Sequence, residues 1–168
     1  HLAGNRERGV LKRYRASSMP AWVLVGSQAM VTLVISAISS LLIVAVALPV
    51  HSVALPDSPL LVLGGFLLTA LSIAAIGVFL GAVMPTARAA QALGVMLWFL
   101  VLMVGGAGPP PEVLTGALSE VGKFTPLRHT IKVMQDGWLS LDAGFSWLIV
   151  ALILAGFTAL AIRFFRWE

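Results

Sequence analysis

The sequence predicts an all-α integral membrane protein with four transmembrane helices, a basic cytoplasmic helix ahead of them, and an amphipathic helical pair on the outer side before the last span. Three observations carry that prediction. Hydrophobic residues make up 59% of the 168 and charged residues only 11%, with a mean hydropathy of +0.98, against roughly 25% charged residues in a soluble domain. Four apolar runs, each bounded by Pro, Gly or charge, are long enough to cross or nearly cross a hydrocarbon layer about 30 Å thick. Five of the eleven basic residues, Arg6, Arg8, Lys12, Arg13 and Arg15, stand directly before the first run, with Glu7 the one acid among them. Lys and Arg beside a spanning helix are retained on the cytoplasmic side, so this end orients everything that follows.

In chain order, residues 1–19 form the basic segment and the first span covers 22–48. Ser18 is placed to cap it, Pro20 suits its first turn, and Pro49 is expected to end it. Gln28, Thr32, Ser36, Ser39 and Ser40 are polar and uncharged inside this run. Helix packing accounts for such residues most simply, but Gln28, Thr32 and Ser36 are also candidates for a substrate pathway. The loop 50–59 holds His51 and Asp57 and no Lys or Arg, and is therefore assigned outside. The second span covers 60–84, where Gly77 and Gly81 share a face on which another helix can approach closely. Pro85 breaks it, Arg88 marks a tight return on the cytoplasmic side, and the third span covers 89–104. Gln91 lies near its start, close enough to the interface to be solvated.

The run GGAGPPP at 105–111 stops that helix. Two amphipathic helices are then expected within 109–141, lying in the interface or re-entering the bilayer part-way. The first places Leu114, Leu118 and Val121 on one side and is expected to end at Gly122. The second is capped by Thr125, has Pro126 in its first turn, carries an apolar stripe of Leu127, Ile131, Met134 and Trp138, and is expected to close at Gly137. Arg128, Lys132 and Asp136, spaced four apart, should pair along its other face. The last span covers 145–162, anchored by Arg163 and Arg166. Eight of the eleven basic residues then fall inside, and four spans with both ends cytoplasmic is the parity that agrees with this count. Together, residues 1–168 read as a single transmembrane domain. Because the chain starts at His1 rather than Met, its natural beginning is expected to lie elsewhere.

Several chemistries are excluded. A net charge of +4 would suit nucleic acid, but the basic residues lie at the edges of apolar runs, where headgroups are their partners. There is no cysteine, hence no disulfide and no thiol catalysis. HExxH, GxSxG and a phosphate-binding loop are all missing, so no catalytic, metal or cofactor site is expected. No titratable residue lies inside the four spans, which argues against coupling to an ion gradient. Uphill transport would therefore take its energy from another subunit.

The order of Glu7-Arg8-Gly9-Val10-Leu11-Lys12-Arg13, two spans with a short outer loop, a tight turn at Pro85, a third span ending in Gly-Pro, and outer helices with a Pro126-Leu127 start resembles the permease subunit of the second type of ATP-binding-cassette exporter. The resemblance covers nearly the whole chain and the last four of that family's six spans. It implies that Glu7, Arg8, Gly9, Leu11, Lys12 and Tyr14 dock on separate ATPase subunits, which hold ATP and magnesium. It further implies a second permease copy or homologue, and a home in the bacterial cytoplasmic membrane. The spans offer aromatic and aliphatic walls and no buried counter-charge, so the expected cargo is hydrophobic or amphipathic. The alternative is a membrane scaffold or assembly subunit that moves nothing and only binds a partner through the basic segment.

Overall fold

The computed structural model describes residues 4, 20–51, 54–104, 120, 122 and 124–164. Among the described residues there are five extended helices and no strand: α1 Ala21–His51, α2 Pro59–Val83, α3 Ala87–Val104, α4 Pro126–Leu139 and α5 Gly144–Arg163. Three of them, α1, α2 and α5, are long and apolar enough to cross a membrane, and α3 is a shorter apolar helix. On α1, Val34, Ile38, Leu41, Leu42 and Ile43 are all at least half exposed, Leu41 at 70%. Such a surface is untenable in water and suited to lipid.

At its start, the backbone N–H of Val23 donates to the Pro20 carbonyl at 3.1 Å, so Pro20 precedes the helix instead of sitting in its first turn. Nor does Pro49 end α1. It lies inside the last turn, and the helix runs on to His51, because a proline so near the end forfeits one intrahelical bond in a turn whose carbonyls are already losing theirs.

The centre of the bundle is α2, which contacts each of the other four helices and packs most extensively on α5. Its buried residues are Gly65, Ala70, Ser72, Ala74, Ala75, Val78 and Ala82. Six of the seven are Gly, Ala or Ser, which lets neighbouring backbones come close enough for dispersion to hold helices that hydrophobicity cannot drive together in lipid. Across the α2–α5 seam, the fully buried Ser72 hydroxyl is shared between the carbonyls of Leu68 (2.7 Å) and Val150 (3.0 Å). At the other end Val25, Val78 and Ala161 form a small core with Phe79, whose ring meets Phe157 edge-on at 5.5 Å. Aromatic pairs of this kind contribute about 0.5–1.5 kcal/mol.

Helix ends follow local chemistry. Pro59 opens α2, and Met84 closes it in an extended conformation (ψ 138°), the region forced on a residue that precedes proline. Thr86 accepts the Ala89 N–H on Oγ1 at 3.1 Å and so caps α3. For α4 the expected cap does not form. Thr125 holds the cap position, but its hydroxyl donates to the Gly122 carbonyl at 2.7 Å. Asp142 takes up the Gly144 N–H at 3.0 Å where α5 begins.

Gly137 does not close α4 either. It is buried within the helix, which stops at Ser140, a left-handed residue (φ 52°, ψ 39°). A Cβ on Gly137 would stand 2.5 Å from the Val62 nitrogen and 2.8 Å from the Leu61 carbonyl carbon. Here α4 crosses the first turn of α2 backbone to backbone. The Gly137 carbonyl accepts the Ser58 N–H at 3.2 Å, and the Trp138 carbonyl receives the Asp57 N–H at 3.5 Å. Orphan carbonyls at one helix end thus satisfy orphan N–H groups at the other, and the opposed partial charges add to the attraction.

From that crossing α4 runs back along α2. Val133 lies against Gly65, and Leu127 and Thr130 border the same cleft as Thr69. Thr69 is ten residues beyond Pro59, so α4 starts about 15 Å along α2 at 1.5 Å per residue, roughly half of a 30 Å hydrocarbon layer. The helix α4 thus lies against the first half of α2. Its other face does not form the expected ladder of ion pairs: no ion pair joins Lys132 to Asp136, because the Asp136 carboxylate points to α5 and accepts the Trp147 indole N–H at 2.7 Å. The same indole rests on Gly64 and Gly65. His129 Nδ1 lies 3.2 Å from Ser146 Oγ, about two turns nearer the start of α4. The first of the two expected amphipathic helices falls outside the described residues, apart from helical Glu120 and Gly122.

Candidate functional site

A cavity of about 720 Å³ opens among α1, α2 and α3, at the end of the bundle where α1 and α3 begin and α2 finishes. Three stripes line it, together with Gly4 from the segment ahead of α1. From α1 come Gln28 and Thr32, one turn apart; from α2 come Ala74, Gly77 and Gly81; from α3 come Ala87, Ala90, Gln91 and Gly94. The α3 set recurs at i, i+3, i+4 and i+7, the spacing of one helical face. Small residues therefore make the walls, and they leave room where bulkier side chains would have filled it.

Polar groups project from this lining. Thr32 donates its hydroxyl to the Gln28 carbonyl at 3.0 Å, which leaves its oxygen lone pairs available. Among the described residues the side-chain amides of Gln28 and Gln91 have no hydrogen-bond partner. No Asp, Glu, Lys, Arg or His is among the described residues of the lining, and none of the described residues forms a cluster able to hold a metal.

The pathway candidates divide. Gln28 and Thr32 face the cavity together, whereas Ser36, one turn further along α1, is not part of its lining. Gly77 and Gly81 lie on the cavity wall, and a Cβ on Gly77 would meet no atom within 4 Å. The docking candidates Glu7, Arg8, Gly9, Leu11, Lys12 and Tyr14 lie outside the described residues. Gln91 and Gly94 were not singled out by the sequence as site residues, although their helical spacing from Ala87 and Ala90 was there to be found.

Residues 2–139 match the family described as ABC-2 type transporter, a stretch that takes in the basic segment, α1 to α4 and every described residue lining the cavity. The chain belongs to this family. No curated protein and no solved structure gave a significant match. The long apolar helices of the fold are accordingly the transmembrane helices of a multi-pass ABC transporter permease. In this ABC-2 permease the cavity opens between two long apolar helices, α1 and α2, and the shorter apolar helix α3. Gln28 is half-buried and Gln91 exposed, so water or a ligand can reach both amides.

Proposed function

We propose that this permease is the membrane subunit of an ATP-driven exporter of a hydrophobic or amphipathic substrate, powered by a separate ATPase that docks on the basic segment through Glu7, Arg8, Gly9, Leu11, Lys12 and Tyr14. The observation that carries the proposal is the match to the ABC-2 type transporter family over residues 2–139. ATP and magnesium belong to the ATPase subunits, and nucleotide-driven closure of those subunits supplies the two biased states that alternating access needs. A second copy of the chain, or a homologue, completes the pathway. Gln28 and Thr32 are its lining candidates within the chain, with Ser36 further along α1.

Charge distribution supports a bacterial cytoplasmic membrane with both ends inside. The five basic residues precede α1, while Asp57 and Asp142 stand at the opposite end of the bundle. With 18 residues, α3 is about 27 Å long and makes the fourth crossing. A helix of that length covers most of the hydrocarbon layer, and the headgroup region accommodates the remainder.

The test is purification of the permease from its native membrane in mild detergent, followed by identification of the chains that accompany it. An ATPase bearing a phosphate-binding loop, recovered in equal stoichiometry, is the expected result. Reproducible recovery of a non-ATPase partner in its place would make the chain a scaffold and overturn the proposal.

A further inference from the structure

We infer that the cavity between α1, α2 and α3 receives an uncharged headgroup rich in hydroxyl or amide groups, held between the carboxamides of Gln28 and Gln91, an inference that rests on the permease reading above and names its substrate class. Each carboxamide offers two donors and one acceptor oxygen. A ligand that only donates or only accepts leaves half of that capacity unused. A hydroxyl or an amide both donates and accepts, and can bridge the two side chains.

The remainder of the lining selects in the same direction. Ala74, Gly77, Gly81, Ala87, Ala90 and Gly94 provide volume without polarity. Among the described residues the lining holds no titratable side chain to neutralise an ion, and a charge moved there from water would lose its hydration with no counter-charge from these residues in return. Apolar surface is abundant on the same helices, with Ile73 and Leu80 bordering the cavity. An amphipathic molecule with a neutral polar head satisfies both kinds of surface, and a volume of about 720 Å³ falls within the roughly 300–1,000 Å³ of small-molecule sites.

The chain has no cysteine, so one introduced thiol reports on the cavity alone. Gly94→Cys places it in the lining, where a Cβ meets nothing within 4 Å. Gly156→Cys, which likewise meets nothing within 4 Å and does not line the cavity, serves as the control. In lipid nanodiscs the rate of alkylation by N-ethylmaleimide is measured with octyl glucoside, octanoate or octyltrimethylammonium at equal membrane occupancy. Octyl glucoside is expected to slow modification of Gly94→Cys and not of Gly156→Cys. Adding Gln28→Leu and Gln91→Leu is expected to weaken that protection about three- to tenfold, the effect of losing one net hydrogen bond. Adding Gln91→Glu instead should move the preference to octyltrimethylammonium.

Equal protection by all three amphiphiles, absence of protection, or protection that survives both leucine substitutions would overturn the inference. The assay needs neither ATP nor a partner chain. Loss of protection alongside a recovered ATPase therefore counts against the cavity chemistry and leaves the transport function standing. Protection without an ATPase does the reverse.

Discussion

Replacing Gly137 with alanine is expected to dislodge α4 from α2 and destabilise the protein by about 3 kcal/mol or more, at or beyond the upper end of ordinary overpacking. The magnitude follows from what the added methyl would strike. At 2.5 Å from the Val62 nitrogen and 2.8 Å from the Leu61 carbonyl carbon, the obstacles are backbone atoms in the first turn of a helix, and no rotamer change clears them. The crossing must open, and with it go the bonds from Ser58 and Asp57 to the Gly137 and Trp138 carbonyls and the hydrogen bond from Ser140 Oγ to Asp57 Oδ2 at 3.1 Å. Gly156→Ala is the matched control, since a Cβ there meets nothing within 4 Å. It should be neutral or stabilising by up to about 1 kcal/mol through helix propensity. The thermal unfolding midpoint in detergent and protease cleavage between Leu139 and Ala143 are the two readouts. A Gly137→Ala protein with wild-type values for both would contradict the close crossing.

The second large effect is functional. Combined replacement of Glu7, Arg8 and Leu11 by alanine is expected to leave the permease in the membrane while uncoupling transport from ATP hydrolysis. Insertion depends on the apolar length of α1, α2 and α5, and four basic residues would still precede α1 to hold its orientation. Docking depends on side chains. On a helix, Leu11 with Val10 and Tyr14 makes an apolar edge that can seat in a groove of the ATPase, and Arg8 shares another face with Lys12 and Arg15. Truncating anchor residues of an interface typically costs 2 kcal/mol or more, so transport should fall by roughly 30-fold or more and substrate should cease to stimulate hydrolysis. Unchanged transport and unchanged stimulation in the reconstituted complex would be incompatible with docking through this segment.

Apolar helices were the most legible feature of the sequence because two simple constraints act on them: hydrocarbon thickness sets their length, and Pro or charge marks their ends. Expected and observed bounds agree within one or two residues for α2, α3 and α5. The three-residue extension of α1 to His51 arises because Pro49, read as a stop, falls where a proline disturbs little. Glycine was harder to read. At Gly137 a glycine after an amphipathic run carries the same local signal whether it ends the helix or permits a close crossing, and only Leu61 and Val62, some seventy-five residues earlier, distinguish the two. The stop itself is Ser140, whose left-handed backbone no local rule singled out.

The cavity was partly legible. Gln28 and Thr32 stood out as polar residues one turn apart within an apolar run. Gln91 did not, because a glutamine one turn into a helix is readily explained by solvent, and its significance appears only when α3 is seen facing α1 and α2. Asp136 was assigned to an ion pair on its own helix, where spacing alone governs. The indole of Trp147 on α5 takes it instead, a partner that i, i+4 arithmetic cannot reveal.

The central claim is that work reaches this permease from an ATPase through its basic segment. Ala16→Cys introduces the sole thiol of the chain into that segment without touching a docking residue, and a short photoactivatable maleimide attached there records whatever lies beside it in native membranes. The account predicts a cross-link to a chain carrying a phosphate-binding loop, with a yield that changes when ATP is added. Cross-links to lipid alone, with no ATPase product under any nucleotide condition, would contradict it.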